Sequence, residues 1–332
     1  MNLDWQVLEI DAEAEVARIT AQLRDSVGTR LRRRGAVVAV SGGVDSAVCV
    51  TLAVRAFGPE RVLALLLPEK ESSDQSVVRA TELAARLSLV PLVQDLTPVL
   101  DAVGCYRSRD EAVRRVLPDY AEGWRMKIVV AGGIEGRITH FRLVAEAPDG
   151  ETEEARLGVR EYLQIVAATS FKQRMRKALE YYHADRMHYA VVGTANRLEF
   201  DQGFFVKNGD GSADVKPIAH LYKSQVYALA EHLQLPSDIV SAPPTADTYS
   251  LPQSQEEFYF ALPYRQMDLA LWAFDHAVAT SDLAVILGMS DEKARRVYAD
   301  IQAKRRATAY LHMRPILLGE IDGVSAMLTD RV

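Results

Sequence analysis

Cysteine is nearly missing from this chain: Cys49 and Cys105 are the two that occur in 332 residues, which excludes a disulfide framework and a cysteine-rich zinc site. Cys49 falls in a helix-compatible stretch, where it reads as a small buried apolar residue rather than a nucleophile. No apolar run approaches the length that spans a bilayer, and the opening MNLDWQVLEIDAEAE has neither the basic start nor the apolar centre of a secretory signal. A reducing cytoplasm is the expected setting, with no membrane partner. A basic excess is missing too. Lysine and arginine total 39 against 45 aspartates and glutamates, a formal net charge of −6, whereas nucleic-acid-binding domains usually carry a positive stripe. The local cluster Arg30, Arg32, Arg33 and Arg34 reads as a solvated helix end. Internal repeats and low-complexity segments are lacking as well.

What the chain does have is ordinary globular composition, 48% hydrophobic and 25% charged, and enough length for one large α/β domain with additions or for two. Its most informative stretch is VVAVSGGVDS, Val37 to Ser46, followed by a helix-compatible segment from Ala47 to Phe57. A β-branched strand therefore runs through a tight loop into a helix. Gly42 and Gly43 let the backbone turn and approach a ligand closely. N–H groups at the helix start, with the helix dipole behind them, make a seat for pyrophosphate. Ser41 and Ser46 can donate hydroxyl protons to phosphate oxygens. Asp45 repels phosphate directly and so implies a divalent cation between them. The pattern is not the common mononucleotide P-loop, which needs four residues between its glycines and a lysine before Ser/Thr.

This segment resembles the SGGxDS pyrophosphate loop of the N-type ATP pyrophosphatases, which cut ATP between its α- and β-phosphates to adenylate a substrate. The resemblance implies a doubly wound parallel sheet, adenine nucleotide alpha hydrolase-like, and the periodicity agrees. A helical face (Val16, Ile19, Leu23, Val27, Leu31) precedes the first strand. Strands at Val62–Leu67 and Pro91–Leu96 flank a helix at 74–87, the alternation of a parallel sheet covered on both faces. Residues 105–160 break that rhythm. Strand-like runs there are separated by glycine-rich and Pro-Asp-Gly turns, which predict a small antiparallel β insertion, with AGGIEG as a hairpin turn. A long helix over 162–183, a short strand ending at Gly193 and a helix over 218–233 resume the pattern. Residues 263–332 read as a helical C-terminal extension, so residues 1–332 are expected to form a single domain with one insertion and one extension.

The segment GTANRLEFDQGFFVKNGDGSADVKP, Gly193 to Pro217, follows a strand end with Thr194, Glu199, Lys207, Asp210 and Asp214. It resembles the ammonia-dependent NAD synthetase family, which carries a similar glutamate, FF-x-K and GDG-x-x-D series. The resemblance spans about Arg34 to Arg306, with the β insertion outside it. It implies that Asp45 and Glu199 hold Mg²⁺. It implies that Ser41, Gly42, Gly43, Asp45, Ser46, Thr194, Lys223 in HLYKSQ and Thr245 in PPTAD bind ATP. Arg174 in FKQRMR, Lys207, Asp214 and Lys304 are implied to hold a dinucleotide, deamido-NAD. Asp45, Glu199 and Lys223 are then the catalytic set, in a homodimer with substrate near the subunit interface. Departures occur at Ser170, often Asn in the family, at Ala195, often Gly or Asp, and at Ala303, where many members have His.

These residue types suit the chemistry apart from any family. A carboxylate attacking the α-phosphate approaches a strongly negative group, so Mg²⁺ on Asp45 and Glu199 would neutralise the phosphates. Lys223 adds a point charge toward departing pyrophosphate. Ammonia attacking the acyl-adenylate then gives an amide and AMP. No glutamine-hydrolysing domain is read before the loop, so the nitrogen is expected as free ammonia or from a separate glutaminase. Lys172 and Arg176 read equally as solvated helix residues, and Asp210 reads as a turn-shaping side chain. An adenylating amide ligase for another carboxylate is the alternative. A DNA-binding reading rests on 281–310, which looks superficially like a helix-turn-helix. Against it, Val297, Ile301 and Tyr310 can face a core.

Overall fold

The computed structural model describes residues 3–131, 140–243, 249–253, 259–260 and 262–319. Four short strands form one parallel sheet: β1 (Ala36–Ala39), β2 (Val62–Leu66), β3 (Leu92–Val93) and β7 (Ala190–Val192), in the order β3-β2-β1-β7. Three others, β4 (Arg125–Ala131), β5 (His140–Glu146) and β6 (Thr152–Arg156), form an antiparallel sheet of their own. Helices α1 (Ala12–Arg24), α2 (Val44–Phe57), α3 (Asp74–Arg86), α4 (Thr97–Ala102) and α5 (Cys105–Arg114) belong to the first half. Helices α6 (Val159–Met187), α7 (Arg197–Gln202), α8 (Lys223–His232) and α9 (Ser237–Val240) follow. The C-terminal set is α10 (Tyr264–Asp275), α11 (Thr280–Leu287) and α12 (Asp291–His312).

Successive strand residues point to opposite faces, and both faces are covered. Ala36, Val38, Ala64, Leu66, Ala190 and Val192 pack in one core with Val16 and Ile19 of α1, Leu52 of α2 and Val226 of α8. Their alternates Val37, Leu65 and Val191 pack in a second core with Leu100 of α4, Tyr106 of α5 and Ala168 of α6. This is the doubly wound arrangement that the apolar runs predict. The β1 neighbours are β2 on one side and β7 on the other. Two segments that carry polar chemistry, the glycine loop after β1 and 193–199 after β7, therefore leave the sheet side by side at its carboxyl edge.

Several boundaries differ from the sequence reading. The strand at 91–96 is reduced to Leu92–Val93. Residues 105–114 are helical, not β: buried Tyr106, Arg109, Ala112 and Val113 recur at helical spacing, masked in the sequence by intervening charges. The antiparallel sheet begins at Arg125, and its Pro-Asp-Gly turn closes through an Ala147 N–H bond to the Glu151 carbonyl, with Gly150 at φ +90°. Beyond Ala131, AGGIEG lies outside the described residues. The inner face of the antiparallel sheet, Met126, Ile128, Leu143 and Ala145, packs on Ala112 and Val113 of α5 and Ile165 of α6.

Helix α8 starts at Lys223 rather than Ile218, because Asp268 caps it at that point. The Asp268 carboxylate accepts from the Lys223 and Ser224 N–H groups at 3.3 and 2.7 Å. In the C-terminal set, Met267, Leu271, Leu283, Val297 and Ile301 share a core with Leu198 of α7. Arg295, Arg296, Lys304 and Arg305 of α12 are paired with Asp291, Glu292, Asp300 and Asp201 respectively. Val297 and Ile301 are buried as expected, whereas Tyr310 is exposed near the end of α12; the buried face and those internal pairs oppose the helix-turn-helix reading. No helix among the described residues is long and apolar enough to cross a membrane.

Candidate active site

The site is built at the carboxyl ends of β1 and β7. Gly42 has φ +81°, and a Cβ there would lie 2.4 Å from the Ser76 carbonyl oxygen, so both conformation and space demand glycine. Gly43 is the N-cap of α2, placing Asp45 in the first helical turn. The two loop serines divide the work. Ser46 is buried and donates to the Gly43 carbonyl at 2.9 Å while accepting the Ser41 N–H at 3.2 Å, so it braces the loop. Ser41 is exposed.

Asp45 is held from two directions. Its Oδ1 accepts from Asn196 Nδ2 at 3.2 Å, and its Oδ2 pairs with Lys223 Nζ. Lys223 is 2% exposed. Burial alone would lower its pKa, but the carboxylates of Asp45 and Glu199 outweigh burial and hold it raised. Glu199 occupies the third position of α7 in a capping box: Asn196 Oδ1 accepts the Glu199 N–H at 3.1 Å, and Glu199 Oε2 accepts the Asn196 N–H at 3.2 Å. Burial first, then Asp45 and Glu199, raise the Cys49 thiol well above its ordinary value, which agrees with an inert buried cysteine.

The residues expected to hold the dinucleotide fall into three separate hydrogen-bonded sets. Arg174 on α6 donates to the Lys207 carbonyl at 3.2 Å, and Lys207 Nζ donates to the Tyr310 and Met313 carbonyls at the end of α12. Asp214 accepts the Val191 N–H at 2.8 Å and the Tyr181 hydroxyl at 3.4 Å. Lys304 lies elsewhere, on the Tyr259 carbonyl and Asp300. Thr194 follows β7 and is half-buried; Thr245 lies outside the described residues. Asp210 accepts the Val206 N–H at 2.8 Å, the turn-shaping role that its sequence position predicts.

Three features escape a residue-by-residue reading. Asn196 is the first, although N-x-x-E at 196–199 spells a capping box. Asp268 is the second. The third is a buried cluster built on the segment after β2, where Lys172 pairs with Glu69 and Glu71, Arg109 pairs with Glu71, and the Tyr106 hydroxyl donates to Glu69. Arg176 donates to the Leu67 carbonyl at 3.3 Å.

Asp268 gives a pH prediction. Burial raises its carboxyl from 3.8 to about 6, against the pull of the Ser224 and Lys223 N–H groups. Between those values the folded chain holds a proton that the unfolded chain has released. The contribution to folding is therefore fullest below pH 3.8 and is lost as pH rises through about 6. Asp268→Asn cannot titrate. Urea unfolding of both proteins should shift in favour of wild type by about 1 kcal/mol on going from about pH 7.5 to about pH 5. A difference independent of pH would contradict the raised carboxyl.

A parallel sheet with helices on both faces, and a glycine loop at its carboxyl edge running into a helix, define an adenine nucleotide alpha hydrolase-like fold. The NAD synthase family profile matches residues 15–130 and 143–308, and the chain belongs to that family. The match reaches into much of 105–160, which the motifs alone place outside the resemblance. A Mesorhizobium japonicum protein named NH(3)-dependent NAD(+) synthetase is 52% identical over 316 residues, 95% of this chain and 99% of its own. The solved NH3-dependent NAD synthetase of Campylobacter jejuni, in complex with nitrate, aligns at TM-score 0.61 and 21% identity, covering 93% of this chain and all of its own. An NMN synthetase from Francisella tularensis aligns at TM-score 0.63 and 20% identity, covering 94% and 100%. These two structures share the fold.

The donor set suits a hard cation. Mg²⁺ usually takes one or two carboxylates and completes its shell with water and phosphate oxygens. Asp45 and Glu199 would supply two oxygen donors, and among the described residues no group of three or more Asp, Glu, His or Cys side chains converges. Nucleotide phosphates would have to complete the shell.

Proposed function

We propose that this chain is an ammonia-dependent NAD synthetase that amidates deamido-NAD at the expense of ATP, releasing AMP and pyrophosphate. The observation that carries the reading is the Asp45–Lys223 pair at the start of α2, with Glu199 joined to Asp45 through Asn196. The names of the relatives that are half identical over almost the whole chain supply the product and the nitrogen source.

In this reading the N–H groups at the start of α2 and the Ser41 hydroxyl receive the ATP phosphates. Mg²⁺, held by Asp45 and Glu199, would offset charge on the phosphates as pyrophosphate departs. Lys223 stays charged and adds a donor on the leaving side. The nicotinate carboxylate attacks the α-phosphorus, the bond to the β-phosphate oxygen breaks, and an acyl-adenylate results. Ammonia then attacks the acyl carbon, loses a proton and expels AMP. Thr194 and Thr245 are assigned to ATP, and Arg174, Lys207, Asp214 and Lys304 to the dinucleotide. For all four, the present hydrogen bonds must rearrange or be shared when substrate binds. The protein is assigned to the cytoplasm as one domain with a β insertion and a helical extension. Its proposed assembly is a homodimer, supplied with free ammonia or ammonia from a separate glutaminase.

The test is pyrophosphate release with ATP, Mg²⁺ and ammonium, comparing deamido-NAD with a panel of carboxylates that includes the corresponding mononucleotide, with products followed by mass. NAD, AMP and pyrophosphate should appear together in equal amounts. Turnover with a different acid alone would keep the adenylating ligase and remove deamido-NAD. Silence with every acid would overturn the assignment.

A further inference from the structure

We propose that Asn196 is a positioning residue that fixes the separation and orientation of Asp45 and Glu199, so that both carboxylates can serve one cation. The proposal rests on the reading of those two residues as metal ligands. Asp45 stands on the helix after β1 and Glu199 on the helix after β7, 154 positions further along by their numbers. Adjacent strands bring the two helices near one another but leave each carboxylate free to choose a rotamer. Asn196 removes that freedom from both sides at once. Its Nδ2 donates to Asp45 Oδ1 at 3.2 Å, its Oδ1 accepts the Glu199 N–H at 3.1 Å, and its own N–H donates to Glu199 Oε2 at 3.2 Å.

The residue type is dictated by that double task. One short side chain must present a donor to a carboxylate and an acceptor to a backbone N–H without charge of its own, and a primary amide does so. Aspartate would cap the helix equally well but would set a third carboxylate against Asp45. Serine would cap too, yet it is too short to keep the bond to Asp45. Asn196 is 1% exposed, so water does not readily replace its amide. With Asp45 Oδ1 engaged by Asn196 and Oδ2 by Lys223, the carboxylate plane is set from both edges.

Serine and alanine variants separate tethering from capping. Asn196→Ser keeps the cap and loses the tether; Asn196→Ala loses both. The readout independent of turnover is Mn²⁺ binding in the presence of α,β-methylene-ATP, measured by loss of the free Mn²⁺ resonance signal. Outer-shell partners of metal ligands are worth about 10- to 100-fold in affinity, so both variants should bind Mn²⁺ roughly 10-fold or more weakly. Both should also need correspondingly more Mg²⁺ for half-maximal turnover, while the KM for deamido-NAD moves little. Wild-type Mn²⁺ affinity in Asn196→Ser, with a loss confined to Asn196→Ala, would reduce Asn196 to a helix cap and overturn the proposal. Should the alanine variant fail to fold, the serine variant alone decides. Asp45→Asn serves as the control on the underlying reading. If it binds Mn²⁺ normally, the metal assignment itself fails; if it does not while Asn196→Ser does, only the positioning role fails.

Discussion

Asp45→Asn should lower pyrophosphate release by about 10³-fold or more, the rate equivalent of several kcal/mol of lost charge stabilisation at the phosphates. The amide matches the carboxylate in shape and keeps one acceptor for Lys223, so folding should survive. It will not be free of cost. Lys223 is almost wholly buried and raised by Asp45 and Glu199 after burial has pulled it down, so weakening one partner leaves an under-compensated ammonium. A stability loss of about 1–3 kcal/mol is expected for the asparagine variant. Asp45→Ala, which strips away the acceptor, should approach the ~3–5 kcal/mol typical of breaking a buried pair. Pyrophosphate release and thermal unfolding measured on the same samples separate the two effects. Near-normal turnover by the asparagine variant would remove Asp45 from the chemistry.

Lys172→Met is expected to give the largest loss of stability at a position that no part of the proposed chemistry uses. Lys172 is 2% exposed and donates to Glu69 at 2.9 Å as well as to Glu71. Burial pushes the Glu71 carboxyl up, and Lys172 and Arg109 together more than reverse it, leaving it lowered. Methionine fills similar volume but strands Glu69, whose remaining side-chain hydroxyl donor is Tyr106. Removing one partner of such a buried pair costs about 3–5 kcal/mol, a fall in Tm of roughly 5–10 °C for a protein of this size. The double variant Lys172→Met/Glu69→Gln should recover a good part of the loss, because the stranded charge is gone. Equal instability of the single and double variants would mean that packing, rather than charge, sets the cost.

The two predictions differ in how far sequence alone could reach them. Asp45 is legible because its meaning is local: strand, glycines, aspartate, serine and helix follow one another within VVAVSGGVDS. Glu199 and Lys223 are found by resemblance to a family segment. Lys172 reads from sequence as an ordinary basic residue on a long helix, since its partners lie about a hundred positions away, at |i−j| of 103 and 101. The helix at Cys105–Arg114 is missed because polar residues fill most of CYRSRDEAVR, and its apolar face shows only once the β sheet and α6 are packed on it. Helix α8 is read five residues too early because an apolar pattern carries no information about a cap supplied from α10 by Asp268.

By itself the sequence determined the class of sheet and the glycine loop at the start of α2, because strand alternation, glycine conformation and helix-start chemistry are settled by neighbours along the chain. Only the tertiary structure decided which polar groups touch. Asp45 meets Asn196 across 151 positions and Lys223 across 178, and Asp268 reaches α8 from the C-terminal helices. Such contacts follow from strand order and helix packing, which bring distant residues within hydrogen-bond range and remove the water that would otherwise satisfy them.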